Sequence, residues 1–311
     1  MASLRDIRTR IASVRNTQQI TRAMKMVAAA KLRRAQERIF AARPYAYKLR
    51  ETIGHLRQRV DPGAHPLFQP RAEVNAALLI VVTSDRGLAG AFNANLLRHV
   101  EEHVRTGRLG ALREGKRLHV LAIGRKAHEY FAKRGYPLVG DFRGVFNDLR
   151  PATAQQAVGL AVEGFADGRW DLVEIAYNEF KNTISQNRIV EQVLPVPAER
   201  FLTPVMESSE FVPTDPAGRP ADVDYLFEPG PEAILDALVP LYLQYQVWRG
   251  LLESNAAEQG ARMVAMDNAT TNAGELLGQL QLTYNRARQA AITTEIIEIS
   301  SGAEALKASV G

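Results

Sequence analysis

The chain has 311 residues, 46% hydrophobic and 23% charged, with a formal net charge of +5 and no cysteine. That balance suits one large or two ordinary globular domains rather than a disordered chain, and the missing cysteine excludes disulfides, thiolate metal sites, iron–sulfur ligation and a cysteine nucleophile. The longest apolar run, Ala76 to Val82, falls far short of the roughly 20 residues that span a bilayer, so no direct membrane insertion is expected. With helical periodicity starting at Leu4, no cleavable leader is expected either.

From the N-terminus, one apolar series runs Leu4, Ile11, Gln18, Lys25, Leu32, Ile39, Ala46, Ile53, Val60, with a companion at Ile7, Val14, Thr21, Ala28, Ala35, Ala42, Leu49, Leu56. This is a heptad seam held for about eight repeats, and at 1.5 Å per residue it predicts a rod roughly 85 Å long. Ser3 and Asp6 fit a capping box at its start, and Asp61-Pro62-Gly63 supplies the stop. Pro44 lies inside the rod, where a kink or a locally lost hydrogen bond is expected.

The middle of the chain alternates short β-branched runs with helical ones. Strands are expected at Ala77–Thr83, Leu118–Ile123, Leu172–Tyr177 and Arg188–Pro195, and helices near Phe92–Val104, Arg125–Arg134 and Thr153–Ala166. Such alternation argues for a mostly parallel sheet with helices on its faces. A stretch with prolines at 195, 197, 204, 213, 216, 220, 229 and 231 then reads as an extended connector.

A second rod starts at Pro231, a residue suited to a first helical turn, and carries Ile234, Leu238, Leu241, Tyr245, Trp248, Leu252, Met266, Ala269, Ala273, Leu276, Leu280, Ala287, Ala290 and Ile297 on one frame. Up to Ala305 it could reach about 110 Å, outlasting the first rod. Both seams turn small or polar in the middle, at Gln18, Thr21, Lys25 and Ala28 on one and Asn255, Gln259 and Arg262 on the other, a pattern that lowers stability but sets register. Patterns this long signal a coiled coil more often than two separate core helices. The expected division is 1–60 for the first helix, 61–73 for a linker, 74–200 for an α/β domain, 201–230 for the connector and 231–311 for the second helix.

Residues 1–60 hold 15 of the 39 basic side chains but only 3 of the 34 acidic ones, a net of +12 against −7 for the remainder. The first rod is therefore a basic cable, attractive to nucleic acid, anionic lipid or acidic protein loops. No aromatic residue precedes Phe40, which weakens single-strand nucleic-acid binding, where bases stack on rings. At the other terminus Ile292, Ile296, Ile297 and Ile299 spread over more than one helix face. Burying each is worth about 1.5–3 kcal/mol, so a segment projecting past its partner helix would need an external sleeve.

Three motifs suggest chemistry and are better explained without it. Ser84-Asp85-Arg86-Gly87-Leu88-Ala89-Gly90 follows a strand, as phosphate loops do, but lacks both glycine-rich signatures and the lysine, so a tight turn is expected. His99-Val100-Glu101-Glu102-His103 matches the H-x-x-E-H pattern of zinc hydrolases, with Glu174 or Glu179 as conceivable third ligands, although solvated polar residues on an amphipathic helix explain it too. The Asn268-Ala269-Thr270 sequon falls inside a predicted helix, so no glycosylation is expected there. No catalytic residue, cofactor site or metal site is expected.

Three separated stretches carry a resemblance. They are Leu4 to Lys31, with Arg8-Thr9-Arg10-Ile11-Ala12-Ser13-Val14 and Ala23-Met24-Lys25-Met26-Val27-Ala28-Ala29; Thr83 to Leu88; and Glu258 to Met266 with Tyr284 to Ile299. In this order and over the whole chain, the sequence resembles the gamma-subunit family of F-type ATP synthases. The resemblance implies an α/β fold class, with a long antiparallel two-helix coiled coil formed by the terminal helices and a Rossmann-like domain between them. It implies a noncatalytic rotor shaft inside a ring of three alpha and three beta subunits, in contact with the epsilon subunit and a ring of c subunits, coupling ion flow to ATP synthesis or hydrolysis. Met24, Lys25, Arg33 and Arg34 fall where such a shaft meets acidic loops of beta, and Arg262, Arg288, Gln289, Thr293, Glu295 and Glu298 where it meets loops of alpha and beta. Tyr225 and Glu228 fall near the c ring. Ala89 stands where the family commonly has cysteine, and a cysteine-free chain cannot carry the chloroplast dithiol switch. A helix beginning at Leu4 leaves no room for a transit peptide, which implies a bacterial protein on the cytoplasmic face of the inner membrane. The competing reading is a nucleic-acid-binding protein that uses the basic first helix.

Overall fold

A seam of apolar and small residues every three to four positions makes residues 4–59 helical, and in the computed structural model they form one helix, α1 (Leu4–Arg59). The structure describes residues 3–59, 65–107, 109–115, 117–197, 203–207 and 230–310. The capping box is present: the Ser3 amide donates to Asp6 Oδ2 at 3.1 Å and the Asp6 amide to Ser3 Oγ at 3.2 Å. Helix α1 runs through Pro44, which has no N–H to give the preceding turn. Beside it the Tyr245 hydroxyl donates to the Ala42 carbonyl at 2.9 Å, and the Tyr45 and Tyr245 rings lie 4.7 Å apart.

The chain divides into two compact units, Ala28–Val264 and the pair of segments Met1–Val27 and Ala265–Gly311. In the larger unit a four-stranded sheet has the order β2-β1-β3-β4. Strands β1 (Ala77–Val82), β2 (Leu118–Ile123) and β3 (Leu172–Phe180) run parallel, and β4 (Gln186–Leu194) pairs antiparallel with β3 at the edge. The central strand β1 is buried at all six positions because both faces are covered, which is why its sequence is a continuous apolar run rather than an alternating one.

One sheet face, with Leu79, Val81, Val120 and Ala176, packs on α2 (Phe92–Thr106), α3 (Gly110–Glu114) and α4 (Arg125–Ala132) through Leu96, Val100, Leu112 and Phe131. The opposite face, with Ile80, Val82, Val173 and Ile175, packs on α5 (Pro151–Ala166), on the Leu32–Ile53 stretch of α1 and on the last long helix. Gly164 of α5 faces the Trp170 ring so closely that a Cβ would lie 1.9 Å from it, and the Trp170 indole N–H donates to the Ala161 carbonyl at 2.8 Å. The expected strands and helices are observed with ends displaced by a few residues. Of the proline-rich connector, Pro204–Glu207 forms the short helix α6; residues 208–229, with Tyr225 and Glu228, lie outside the described residues.

The last helix, α7 (Pro231–Val310), is 80 residues long with Pro240 inside it. Within the larger unit it differs from the single seam expected of it. Leu235, Val239, Tyr242, Leu243, Val247 and Leu251, all off that seam, are buried, and between Gln246 and Gly260 almost every side chain is sheltered. The reason is that this stretch is covered twice: Tyr245 reaches α1, while Gly250 lies against Ile175 and Tyr177 of β3. One heptad frame can describe only one of those faces.

In the smaller unit α1 and α7 pair antiparallel, since partner numbers fall along α7 as they rise along α1: Arg8 with Tyr284, Gln18 with Thr270 and Gly274, Thr21 with Thr270, Lys25 with Asp267. Ile7, Thr21, Met266 and Ala273 are its buried residues, and Leu4, Ile11, Val14, Gln18 and Lys25 are half-buried. Each residue of the first seam whose burial is described is sheltered, as the heptad spacing requires.

Candidate functional surface

The helix pair of the smaller unit is narrow and polar at its centre. A Cβ on Gly274 would stand 2.9 Å from Gln18 Nε2, so this glycine permits a close approach. The Thr21 and Thr270 hydroxyls lie 2.8 Å apart, and the Gln18 amide donates to the Thr270 carbonyl at 3.4 Å. Lys25 Nζ meets Asp267 Oδ1 at 2.6 Å with both side chains partly exposed. Nearer the start of α1, Arg8 donates to the Tyr284 hydroxyl at 2.6 Å.

Beyond Ala287 every α7 residue through Ala303 is exposed, including Ile292 (47%), Ile296 (60%), Ile297 (58%) and Ile299 (66%). Among the described residues nothing covers these side chains, in keeping with their spread over several faces. Ile20 (59%), Met26 (63%) and Val27 (57%) of α1 are exposed as well. They were not among the expected contacts; the available signal was that each is apolar yet sits on neither seam series.

The expected contact residues fall into three groups. Arg34, Arg288, Gln289, Thr293, Glu295 and Glu298 are exposed on their helices, as is Arg33, which bonds Glu37 one turn on at 3.3 Å. Met24 and Lys25 are half-buried, and Lys25 is engaged by Asp267. Arg262 turns inward within the larger unit: it bonds Glu258 Oε1 at 2.5 Å, Gln259 Oε1 at 3.2 Å and the Gly87 carbonyl at 3.2 Å. Burial pushes the Glu258 carboxyl above its ordinary value, and the charge of Arg262 opposes that rise. Arg262 thus ties α7 to the turn after β1.

That turn is held from within. Asp85 Oδ1 accepts from the Arg125 and Gly144 amides at 2.9 and 2.7 Å, and Oδ2 from the Phe146 amide at 3.0 Å. Thr83 Oγ1 accepts from the Ala127 amide at 2.7 Å, so α4 is capped from the end of β1. Gly124 adopts φ +96°, and any Cβ there would come within 2.2 Å of the Thr83 carbonyl oxygen. The Asp85 carboxylate thus ties the turn after β1 to the backbone at Arg125, Gly144 and Phe146, and the loop is a structural joint. Leu88, at φ 63°, projects from it into solvent.

The two histidines also separate in role. His103 Nε2 lies 2.7 Å from Glu174 Oε2, so a hydrogen bond joins α2 to β3. Burial holds the His99 imidazole below its ordinary value, helped by Arg188 and His103. Among the described residues no three histidine or carboxylate side chains are grouped to hold a metal ion, and no helix is long and apolar enough to cross a membrane.

Known proteins share this architecture. Residues 3–306 match the ATP synthase family. The chain is 59% identical over 309 residues to the ATP synthase gamma chain of Salinibacter ruber, covering 99% of this chain and 100% of that one. With the ATP synthase gamma chain of Chloroherpeton thalassium it shares 50% identity over 312 residues, again 99% and 100% of the two chains. Among solved structures, a chain of the Euglena gracilis mitochondrial ATP synthase OSCP/F1/c-ring assembly superposes with a TM-score of 0.62 at 19% identity, covering 98% of this chain and 95% of that one. A rotor chain of the same organism's enzyme gives 0.59 at 20% identity, covering 93% and 98%. These matches, full-length at both ends, show that the chain belongs to the ATP synthase gamma-chain family.

Proposed function

We propose that this chain is the central shaft of a rotary ATP synthase, coupling ion flow through a c ring to ATP synthesis, and the reverse, at sites on alpha and beta subunits. As a family member it is noncatalytic: the nucleotide chemistry belongs to its partners. The observation that carries the reading is the bare end of α7, where Ile292, Ile296, Ile297 and Ile299 are exposed on a helix that no longer has α1 beside it. Four exposed isoleucines on one helix end are costly in water and call for a sleeve, which a ring of alpha and beta subunits would supply.

On this reading Met24, Lys25, Arg33 and Arg34 meet acidic loops of beta, Lys25 while paired with Asp267, and Arg288, Gln289, Thr293, Glu295 and Glu298 meet loops of alpha and beta. Long-ranged, weakly directional charge attraction suits contacts that must form again with each of three partners. Arg262 acts from inside, by holding the turn at Gly87. Tyr225 and Glu228 are assigned to the c-ring side, where the epsilon subunit also binds. The family's membrane-bound assembly places the chain as a peripheral protein, and we assign it to the cytoplasmic face of a bacterial inner membrane.

Reconstitution with alpha and beta tests this. The full chain should co-elute with them and confer ion-coupled ATPase activity, and removing the segment after Arg288 should weaken assembly and coupling while the α/β body melts unchanged. Failure of both forms to assemble would sink the shaft reading; steeply salt-dependent binding of duplex DNA by the isolated chain would favour the nucleic-acid reading instead.

A further inference from the structure

Where α7 crosses the sheet, the apolar contact of helix-on-sheet packing is joined by buried polar and charged groups. Arg249 of α7 and Glu191 of β4 form an ion pair at 2.6 Å with side chains only 5% and 0% exposed. The Arg249 guanidinium also sits 5.5 Å from the centre of the Tyr177 ring of β3. Burial alone would lower the Arg249 pKa, but Glu191, Tyr177, Glu253 and Glu179 together raise it, so the group stays charged. Glu253, one turn further along α7, accepts the Phe180 amide at the end of β3 at 3.1 Å, and Gln246, one turn earlier, donates to the Gln192 carbonyl of β4 at 3.1 Å. Three successive turns of one helix therefore hold two adjacent strands by directed polar bonds.

Such an arrangement is a poor way to gain stability. A buried ion pair often does no better than apolar residues of the same volume. Here Tyr177 Oη, Glu191 Oε2 and Gln246 Oε1 are also buried without a hydrogen-bond partner, which adds a desolvation cost. Apolar contact, by contrast, is non-directional and resists sliding only through shape. What the polar bonds add is register: if α7 shifts along or around its axis against the sheet, Arg249 leaves Glu191 with both charges stranded.

We propose that the Arg249–Glu191 pair, flanked by Gln246 and Glu253, is a register lock that transmits torque between the sheet and α7. The inference rests on the shaft reading, in which the α/β body is driven and α7 delivers the rotation. Arg249 and Glu191 are positioning residues and touch no nucleotide.

The test uses the whole synthase in proteoliposomes, carrying Arg249→Met with Glu191→Leu so that neither member of the pair is left buried without the other. The lock predicts that this pair variant keeps the chain's melting temperature and the ATPase rate, while ions pumped per ATP under an opposing gradient fall about twofold or more. Arg249→Lys, which keeps the charge but loses the two-pronged fork, should show a smaller loss in the same direction and serves if the pair variant does not assemble. Pumping per ATP equal to the unaltered chain, or a loss that only follows a lower melting temperature in both variants, would overturn the lock. The unaltered chain in the same vesicles separates the two ideas: if it fails to couple, the shaft reading itself has failed.

Discussion

Helix α7 passes through two environments, and they reward opposite sequences. From Gln246 to Gly260 it is sheltered by α1 on one side and by β3 and β4 on the other, and it carries apolar side chains together with the Arg249, Glu253 and Glu258 groups that bond to neighbours. From Arg288 to Ala303 no described residue of the chain covers it, yet it still carries isoleucines. Hydrophobicity alone does not separate these stretches. In the first, apolar side chains hold the fold; in the second they are available to something else, and removing them should cost the fold almost nothing.

That contrast can be broken most forcefully by shaving one isoleucine in each setting. Ile80→Ala, at the fully buried centre of β1, should destabilise the chain by about 2–5 kcal/mol because the cavity cannot collapse. Ile297→Ala should change stability by no more than about 0.5 kcal/mol, while weakening assembly with alpha and beta. Denaturant unfolding of both variants, read beside co-elution, decides the matter, and a large loss of stability in Ile297→Ala would show that the helix end is covered by its own chain after all.

The joint after β1 sharpens the same contrast, because its polarity is structural and not for a ligand. Asp85→Ala leaves three backbone amides without their acceptor and should cost about 3 kcal/mol. Added phosphate should not raise the melting temperature of the unaltered chain, since the loop lacks the lysine and glycine spacing of a phosphate site and carries the Asp85 carboxylate. A phosphate-dependent rise would return the loop to the list of anion sites.

A small effect is also expected at the Lys25–Asp267 pair. Being partly exposed on both sides, it should contribute about 0.2–1 kcal/mol, measured by a double-mutant cycle with alanine at each position. A larger coupling energy would mean that the polar waist, and not only the apolar seam, holds the helix pair together.

Much of this was legible in the residues. The first seam was readable because burial in a two-helix pair has a single period, and each of its described positions, from Ile7 to Ile53, is sheltered. The central strand was readable because a strand covered on both faces favours an uninterrupted apolar run, as in Ala77–Val82. The second seam was read incompletely: Leu235, Val239 and Leu243 belong to a face that a two-helix pattern does not contain. Arg262 stood among the polar seam positions and, by resemblance, among the shaft contacts; helix spacing alone sets Glu258 one turn from it, while only the fold brings it the Gly87 carbonyl. Ile20, Met26 and Val27 were passed over because apolar residues in a heptad chain are assumed to be inside.

The sequence by itself determined the periodic features: two long helices, a largely parallel sheet between them, a basic first helix and an apolar far end. These depend on local spacing and composition, which are properties of consecutive residues. Tertiary structure alone decided which charges are spent inside the chain. Lys25 on Asp267, His103 on Glu174 and Arg249 on Glu191 join residues far apart in the chain, and whether a charge is free or paired depends on distances of a few ångströms that spacing along the chain does not encode.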